Sequence, residues 1–85
     1  MKFTADRPYA SVDAAMRKLL ELANAMEADK GRLSIGELNS KFLAAGASVG
    51  EYSAALKAAI ERGYLTLHPS GAYVTFTQAG ADLFA

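Results

Sequence analysis

Apolar residues recur at steps of three and four along the first third of the chain, over residues 9–26. On a 3.6-residue repeat this spacing places them along one side of a helix. They are Tyr9, Val12, Met16, Leu19, Leu20, Ala23 and Met26. Pro8 suits the first turn, Ser11 is an alternative cap, and Gly31 is a natural terminator. The pattern predicts one amphipathic helix of about five turns.

Two serines are each followed by a glutamate three residues later, Ser34 by Glu37 and Ser48 by Glu51. This is the spacing of the capping box, in which the serine hydroxyl and the carboxylate each accept from a free amide at a helix start. Two more helices are therefore predicted, with a tight helix-turn-helix corner between them. The first presents Ile35, Leu38, Phe42 and Ala45 on one face and ends near Gly46, and the second presents Val49, Tyr52, Leu56, Ala59 and Ile60 and ends at Gly63.

After Gly63 the pattern changes to runs of β-prone residues. The runs 64–68 and 73–76 are separated by the turn formers of 69–72, which predicts a β-hairpin. The stretch 32–35 is expected to add a small third strand beside it. Thr77 is expected to cap a short final helical turn that carries Leu83 and Phe84 back to the core, although Gly80 inside it argues against a helix.

Composition narrows the function classes. Nine basic residues balance nine acidic ones, and the chain has no cysteine, which excludes a disulfide scaffold, a thiolate zinc site and a cysteine nucleophile. With no apolar run long enough for a membrane span or a signal peptide, we expect a cytoplasmic protein. We also expect one domain over 1–85 with an N-terminal arm over 1–8. We do not expect an enzyme, because one small core is not expected to leave a cleft for catalysis. No cofactor is expected, and no metal site is expected because His68 is the only histidine and there is no cysteine.

The residues around the hairpin resemble the winged-helix superfamily. Gly63, Tyr64 and Leu65 match the Gly-aromatic-Leu step that often ends the third helix of bacterial regulators of the MarR and PadR type. Phe76, Thr77 and Gly80 match the apolar-Thr-x-x-Gly motif that closes the wing, with Phe in place of the usual Leu. The resemblance implies an α+β fold of three helices, a C-terminal hairpin wing and a final helical turn. It also implies a third helix that enters the major groove of DNA.

The third helix itself offers little for reading DNA. Opposite its expected core stripe lie Gly50, Ala54 and Ala58, which form a smooth and nearly neutral face. Lys41, Lys57, Arg62 and one of Lys30 or Arg32 give at most about four phosphate contacts per monomer and a salt slope no steeper than about −3.6. The candidate nucleic-acid or partner-binding residues are Ser48, Gly50, Ala54, Lys57, Ala58, Arg62, Lys41 and His68. We expect a small DNA-binding regulator or accessory protein that binds weakly as a monomer, and the alternative is a winged-helix protein-interaction module.

Two further expectations concern apolar and aromatic residues. The first helix has a wider apolar arc than one packing stripe needs, which predicts a homodimer through Ala15, Leu19, Leu22 and Met26. The alternative is that the N-terminal arm covers Leu22 through Phe3. Three of the four tyrosines, Tyr52, Tyr64 and Tyr73, are interpreted as core and hairpin residues. The alternative is that they form a stacking platform for single-stranded nucleic acid.

Overall fold

The computed structural model describes residues 11–26 and 32–84. The elements in chain order are α1 (Val12–Ala25), β1 (Leu33–Ser34), α2 (Ile35–Ala44), α3 (Val49–Glu61), β2 (Leu65–Leu67), β3 (Tyr73–Phe76) and α4 (Gln78–Asp82). Helices followed by a hairpin, with a short helix at the end, form a winged-helix-like arrangement. The predicted α+β fold class is confirmed.

Helix α1 is shorter than predicted. It begins after Ser11, whose hydroxyl accepts from the Ala14 amide, and it ends at Ala25. Met26 adopts an extended backbone while its amide still donates to the carbonyl of Leu22. The helix therefore has 14 residues rather than about five turns. Apolar periodicity shows which side faces the core, not where the chain leaves the helix. Residues 1–10, with Pro8 and Tyr9, and Gly31 lie outside the described residues.

Helices α2 and α3 begin and end as their local signals predict. At Ser48 both bonds of the capping box are made: Oγ accepts from the Glu51 amide at 3.1 Å, and the Ser48 amide donates to Glu51 Oε1 at 2.8 Å. At Ser34 the structure shows the serine half, with Oγ accepting from the Glu37 amide at 3.2 Å. Gly63 follows α3 with φ +79°, the left-handed conformation that favours glycine.

The three strands form an antiparallel sheet in the order β1-β3-β2. Leu33 lies opposite Val74, and Thr66 lies opposite Thr75. The predicted hairpin and the small third strand are both confirmed. Val74 is fully buried because its side chain lies on the sheet face that packs against the helices.

The core lies where α1 crosses α2 and α3. Its largest fully buried side chains are Phe42, Leu19, Leu20, Leu38, Leu65 and Val74. Tyr52 of α3 is also buried, and its hydroxyl donates to the carbonyl of Ile35 at 3.1 Å. This bond satisfies the hydroxyl, and burial raises the pKa of the Tyr52 phenol above its ordinary value of 10.0.

Helix α4 approaches the backbone of Tyr64 closely at Gly80. Thr77 caps α4 by accepting from the Gly80 amide at 3.0 Å, and its own amide donates to the carbonyl of Tyr64. A Cβ atom at Gly80 would lie 2.1 Å from that carbonyl oxygen, so the close approach requires glycine. Gly80 therefore permits the helix rather than arguing against it. Phe84 packs against the core, as predicted, but Leu83 is half exposed, so its predicted burial is wrong.

No helix in residues 11–26 and 32–84 is both long and apolar enough to cross a lipid bilayer.

Candidate binding surface on the third helix

Helix α3 is rolled about its axis relative to the prediction. Its buried residues are Tyr52, Ala55, Ala58 and Ala59. Ala58 is 7% exposed and belongs to the core, so its predicted place on the binding face is wrong. Val49, predicted to face the core, is 64% exposed. The physical reason is packing against α1: alanines let the two helices approach closely, so the large side chains of α1 fill the space between them.

The roll moves three aliphatic residues of α3 towards solvent. Val49 is exposed, and Leu56 and Ile60 are only partly buried. At about 100° per residue these three side chains lie within about 40° of one another on the helix. We call Val49, Leu56 and Ile60 the α3 stripe. Leu56 and Ile60 line an open groove along the helix, together with Tyr52, Ser53, Lys57 and Glu61.

The rest of the exposed surface of α3 is smooth and electrically balanced. Gly50, Ala54, Lys57 and Glu61 are all exposed, so Gly50 and Ala54 lie where the sequence placed them. Lys57 stands four residues before Glu61, on the same side of the helix. Ser48 is exposed at the start of α3, but its amide and hydroxyl are both engaged in the capping box. Its role in the structure is to cap the helix.

The two remaining cations of the predicted site differ in availability. Lys41 is exposed on α2. The Arg62 guanidinium, just after α3, lies 2.6 Å from the Asp13 carboxylate on α1, and both side chains are about half exposed or more. The Asp13 charge offsets the charge of Arg62, so Arg62 is a poorer phosphate ligand than its position in the sequence indicates.

His68 lies away from α3, at the start of the hairpin turn. Its Nδ1 accepts from the Ser70 amide at 3.1 Å and lies 2.8 Å from Ser70 Oγ. An Nδ1 that accepts places the hydrogen of the neutral ring on Nε2. Among the residues that the structure describes, no group of three or more His, Cys, Asp or Glu could hold a metal ion.

The predicted dimer surface on α1 is largely inside the protein. Ala15 is 1% exposed and Leu19 is fully buried, so neither is available to a second copy and that part of the prediction is wrong. The wide apolar arc of α1 is covered by α3 on one side and α2 on the other. Leu22 and Met26 are only half buried, and they line a groove with the end of α2. Phe3, the alternative cover, lies outside the described residues.

Sequence reasoning missed the α3 stripe because it assigned all three of its residues to the core. A signal was present: Ala55, Ala58 and Ala59 lie on one side of the helix, where close helix packing is possible. Sequence reasoning also missed Asp13 as the partner of Arg62, since a contact between distant elements has no local pattern.

No protein-family model, curated protein or solved structure matches this chain.

Proposed function

We propose that this chain is a protein-interaction module that binds its partner through the α3 stripe. The observation that carries the proposal is that Val49 is 64% exposed and aligned with the partly exposed Leu56 and Ile60. The equivalent surface of a DNA-reading helix carries Arg, Lys, Asn or Gln aimed at base edges. Here an aliphatic stripe takes that place, and aliphatic side chains gain free energy when a partner covers them.

The shape and charge of the groove favour an amphipathic helix as the partner. Helix α3 has 13 residues, which is about 20 Å of exposed length. The groove beside it is lined by the apolar Leu56 and Ile60 and by the exposed charged residues Lys57 and Glu61. A partner helix with apolar residues at steps of three and four, flanked by one acid and one base, fits both features.

Binding of duplex DNA is the second candidate, favoured by the exposed Lys57, which lies on the same side of α3 as the small residues Gly50 and Ala54. With Arg62 engaged by Asp13, about three cations remain for phosphate contacts, and the salt slope is no steeper than about −2.7. At physiological salt a monomer should bind random duplex no tighter than about 10⁻⁴ M. This candidate requires a second copy or a complex to become useful in a cell.

Site-specific photo-crosslinking in the source cells tests the proposal. A benzoylphenylalanine replaces Ser53, which lies in the groove, and in a matched control it replaces Ala81, which is exposed on α4. We expect one protein to be crosslinked at position 53 and not at position 81, and we expect Val49→Glu to abolish that crosslink.

The proposal fails if position 53 captures nothing beyond position 81. It also fails if a labelled duplex binds the native chain with micromolar affinity and Lys57→Gln removes that binding, because DNA would then be the ligand of this surface.

A further inference from the structure

The outer face of the sheet carries a cluster of polar and aromatic residues. The register places Ser34 beside Tyr73 and Thr66 beside Thr75, on the side opposite the buried Leu33 and Val74. Arg32 and His68 extend the same face, since both contact the ring of Tyr73. We call Arg32, Ser34, Thr66, His68, Tyr73 and Thr75 the outer sheet face. None of these residues is acidic.

Tyr73 is the centre of this face. The Arg32 guanidinium lies over its ring, 5.1 Å from the centroid, and the His68 ring meets it edge-on at 4.8 Å. Guanidinium and aromatic planes are the surfaces on which unpaired nucleobases stack. The Arg32–Tyr73 pair therefore presents a flat cationic layer, held in place by the strands beneath it.

The same face supplies hydrogen-bond donors. Because Nδ1 of His68 accepts from the Ser70 amide, the neutral ring carries its hydrogen on Nε2, on the opposite side of the ring from the hairpin turn. Within residues 11–26 and 32–84, neither this Nε2–H nor the Tyr73 hydroxyl has a hydrogen-bond partner, and Arg32 has no ion pair. By contrast, α3 carries two acidic residues, Glu51 and Glu61, whose negative charges repel phosphate. Charge complementarity to phosphate is thus better on the outer sheet face than on α3.

We propose that the outer sheet face binds a short segment of single-stranded nucleic acid. One base stacks on the Arg32–Tyr73 layer, and a neighbouring phosphate accepts hydrogen bonds from Arg32 and from Nε2 of His68. Tyr52 is buried and Tyr64 lines a different pocket, so Tyr73 provides one stacking position. The binding is accordingly weak and short. It is independent of the α3 stripe, so the two surfaces together would suit an accessory protein that joins a protein partner to a nucleic acid strand.

The test is an NMR titration of the ¹⁵N-labelled chain with an eight-residue oligothymidylate at low salt. We expect amide shift changes concentrated at Arg32, Thr66, His68, Tyr73 and Thr75, with α3 unaffected. Tyr73→Leu should weaken binding at least about fivefold, whereas Tyr73→Phe, which keeps the ring, should retain it. Because Arg32 is the one full charge on the face, the salt slope should be shallow, about −0.7.

Arg32→Gln is the second variant, because it leaves the sheet register untouched if Tyr73→Leu fails to fold. Its matched control is Arg17→Gln, which removes an exposed arginine from α1. The proposal is overturned if Arg17→Gln weakens binding as much as Arg32→Gln does, or if the shift changes map to α3. It is also overturned if Tyr73→Leu binds as the native chain does, or if a duplex of the same length binds more tightly than the single strand.

Discussion

Substitution of Gly80 by alanine should destabilise the fold more than any other glycine-to-alanine change among the described glycines. The new Cβ would lie 2.1 Å from the Tyr64 carbonyl oxygen, 3.0 Å from its carbonyl carbon and 2.9 Å from Phe76 Cδ1. Two of these three atoms are backbone, so a side-chain rotation cannot relieve the overlap. Helix α4 must instead move away by about 1.3 Å to bring this contact from 2.1 Å to the 3.4 Å at which ordinary van der Waals contact begins.

That movement breaks identifiable interactions. The Thr77 amide donates to the Tyr64 carbonyl at 3.1 Å, and losing this bond costs about 1 kcal/mol. Phe84, which packs edge-on against Phe76 with ring centroids 6.2 Å apart, would lose part of its burial, about another 1–2 kcal/mol. The expected loss is about 2–3 kcal/mol, which for a domain of this size lowers Tm by roughly 8–24 °C.

Thermal unfolding followed by circular dichroism measures the effect, with Gly36→Ala as the matched control. A Cβ at Gly36 would meet its nearest atom at 3.8 Å, and the residue lies in α2, so alanine should leave Tm unchanged or raise it by a few degrees. If Gly80→Ala melts within about 2 °C of the native chain, the close approach of α4 to Tyr64 is refuted.

Four further predictions follow from other features of the structure. Gly63→Ala should cost about 1 kcal/mol in urea unfolding because its φ is +79°, and an unchanged midpoint would show that the residue is not left-handed. The free energy of unfolding should fall as the pH rises above about 10, because burial raises the pKa of Tyr52 and the phenol therefore ionises first in the unfolded chain. Tyr52→Phe should reduce that fall, and a pH profile identical to that of the native chain would contradict the burial of the phenol. A double-mutant cycle on Asp13→Asn and Arg62→Gln should give a coupling below about 1 kcal/mol, since both groups are exposed, and a larger value would mean that the pair is shielded from water. Sedimentation equilibrium at tens of micromolar should give a mass near 9.0 kDa both for the native chain and for Leu22→Glu. A native mass twice as large, which Leu22→Glu reduces by half, would show that the predicted α1 dimer exists.

The sequence predicted the parts of the fold that depend on local chemistry. Ser34 and Ser48 start their helices because a hydroxyl can satisfy a free amide wherever it occurs. Gly63 ends α3 because few other residues adopt its backbone conformation. The hairpin follows from β-prone runs on either side of turn formers, and these signals do not depend on what packs against them.

The roll of α3 could not be predicted in the same way. A stripe through Leu56 and Ile60 and a stripe through Tyr52, Ala55 and Ala59 both repeat at helical spacing, and the first is more hydrophobic. The structure buries the second because closely packed alanines leave room for the leucines of α1. Burial of Ala58, exposure of Val49 and the contact of Arg62 with Asp13 all depend on which stripe of α3 packs against α1. The sequence of α3 alone does not determine this.

Calorimetric titration of the protein captured at position 53, once purified, tests the role of the α3 stripe most directly. Val49 opens α3, so Val49→Glu places a carboxylate near the helix N-terminus, where it is tolerated by the fold. We expect Val49→Glu to weaken binding at least about tenfold, and Ala54→Glu, which lies on a different side of α3, to bind as the native chain does. Equal binding by Val49→Glu and the native chain would contradict the assignment of this stripe as the interaction surface.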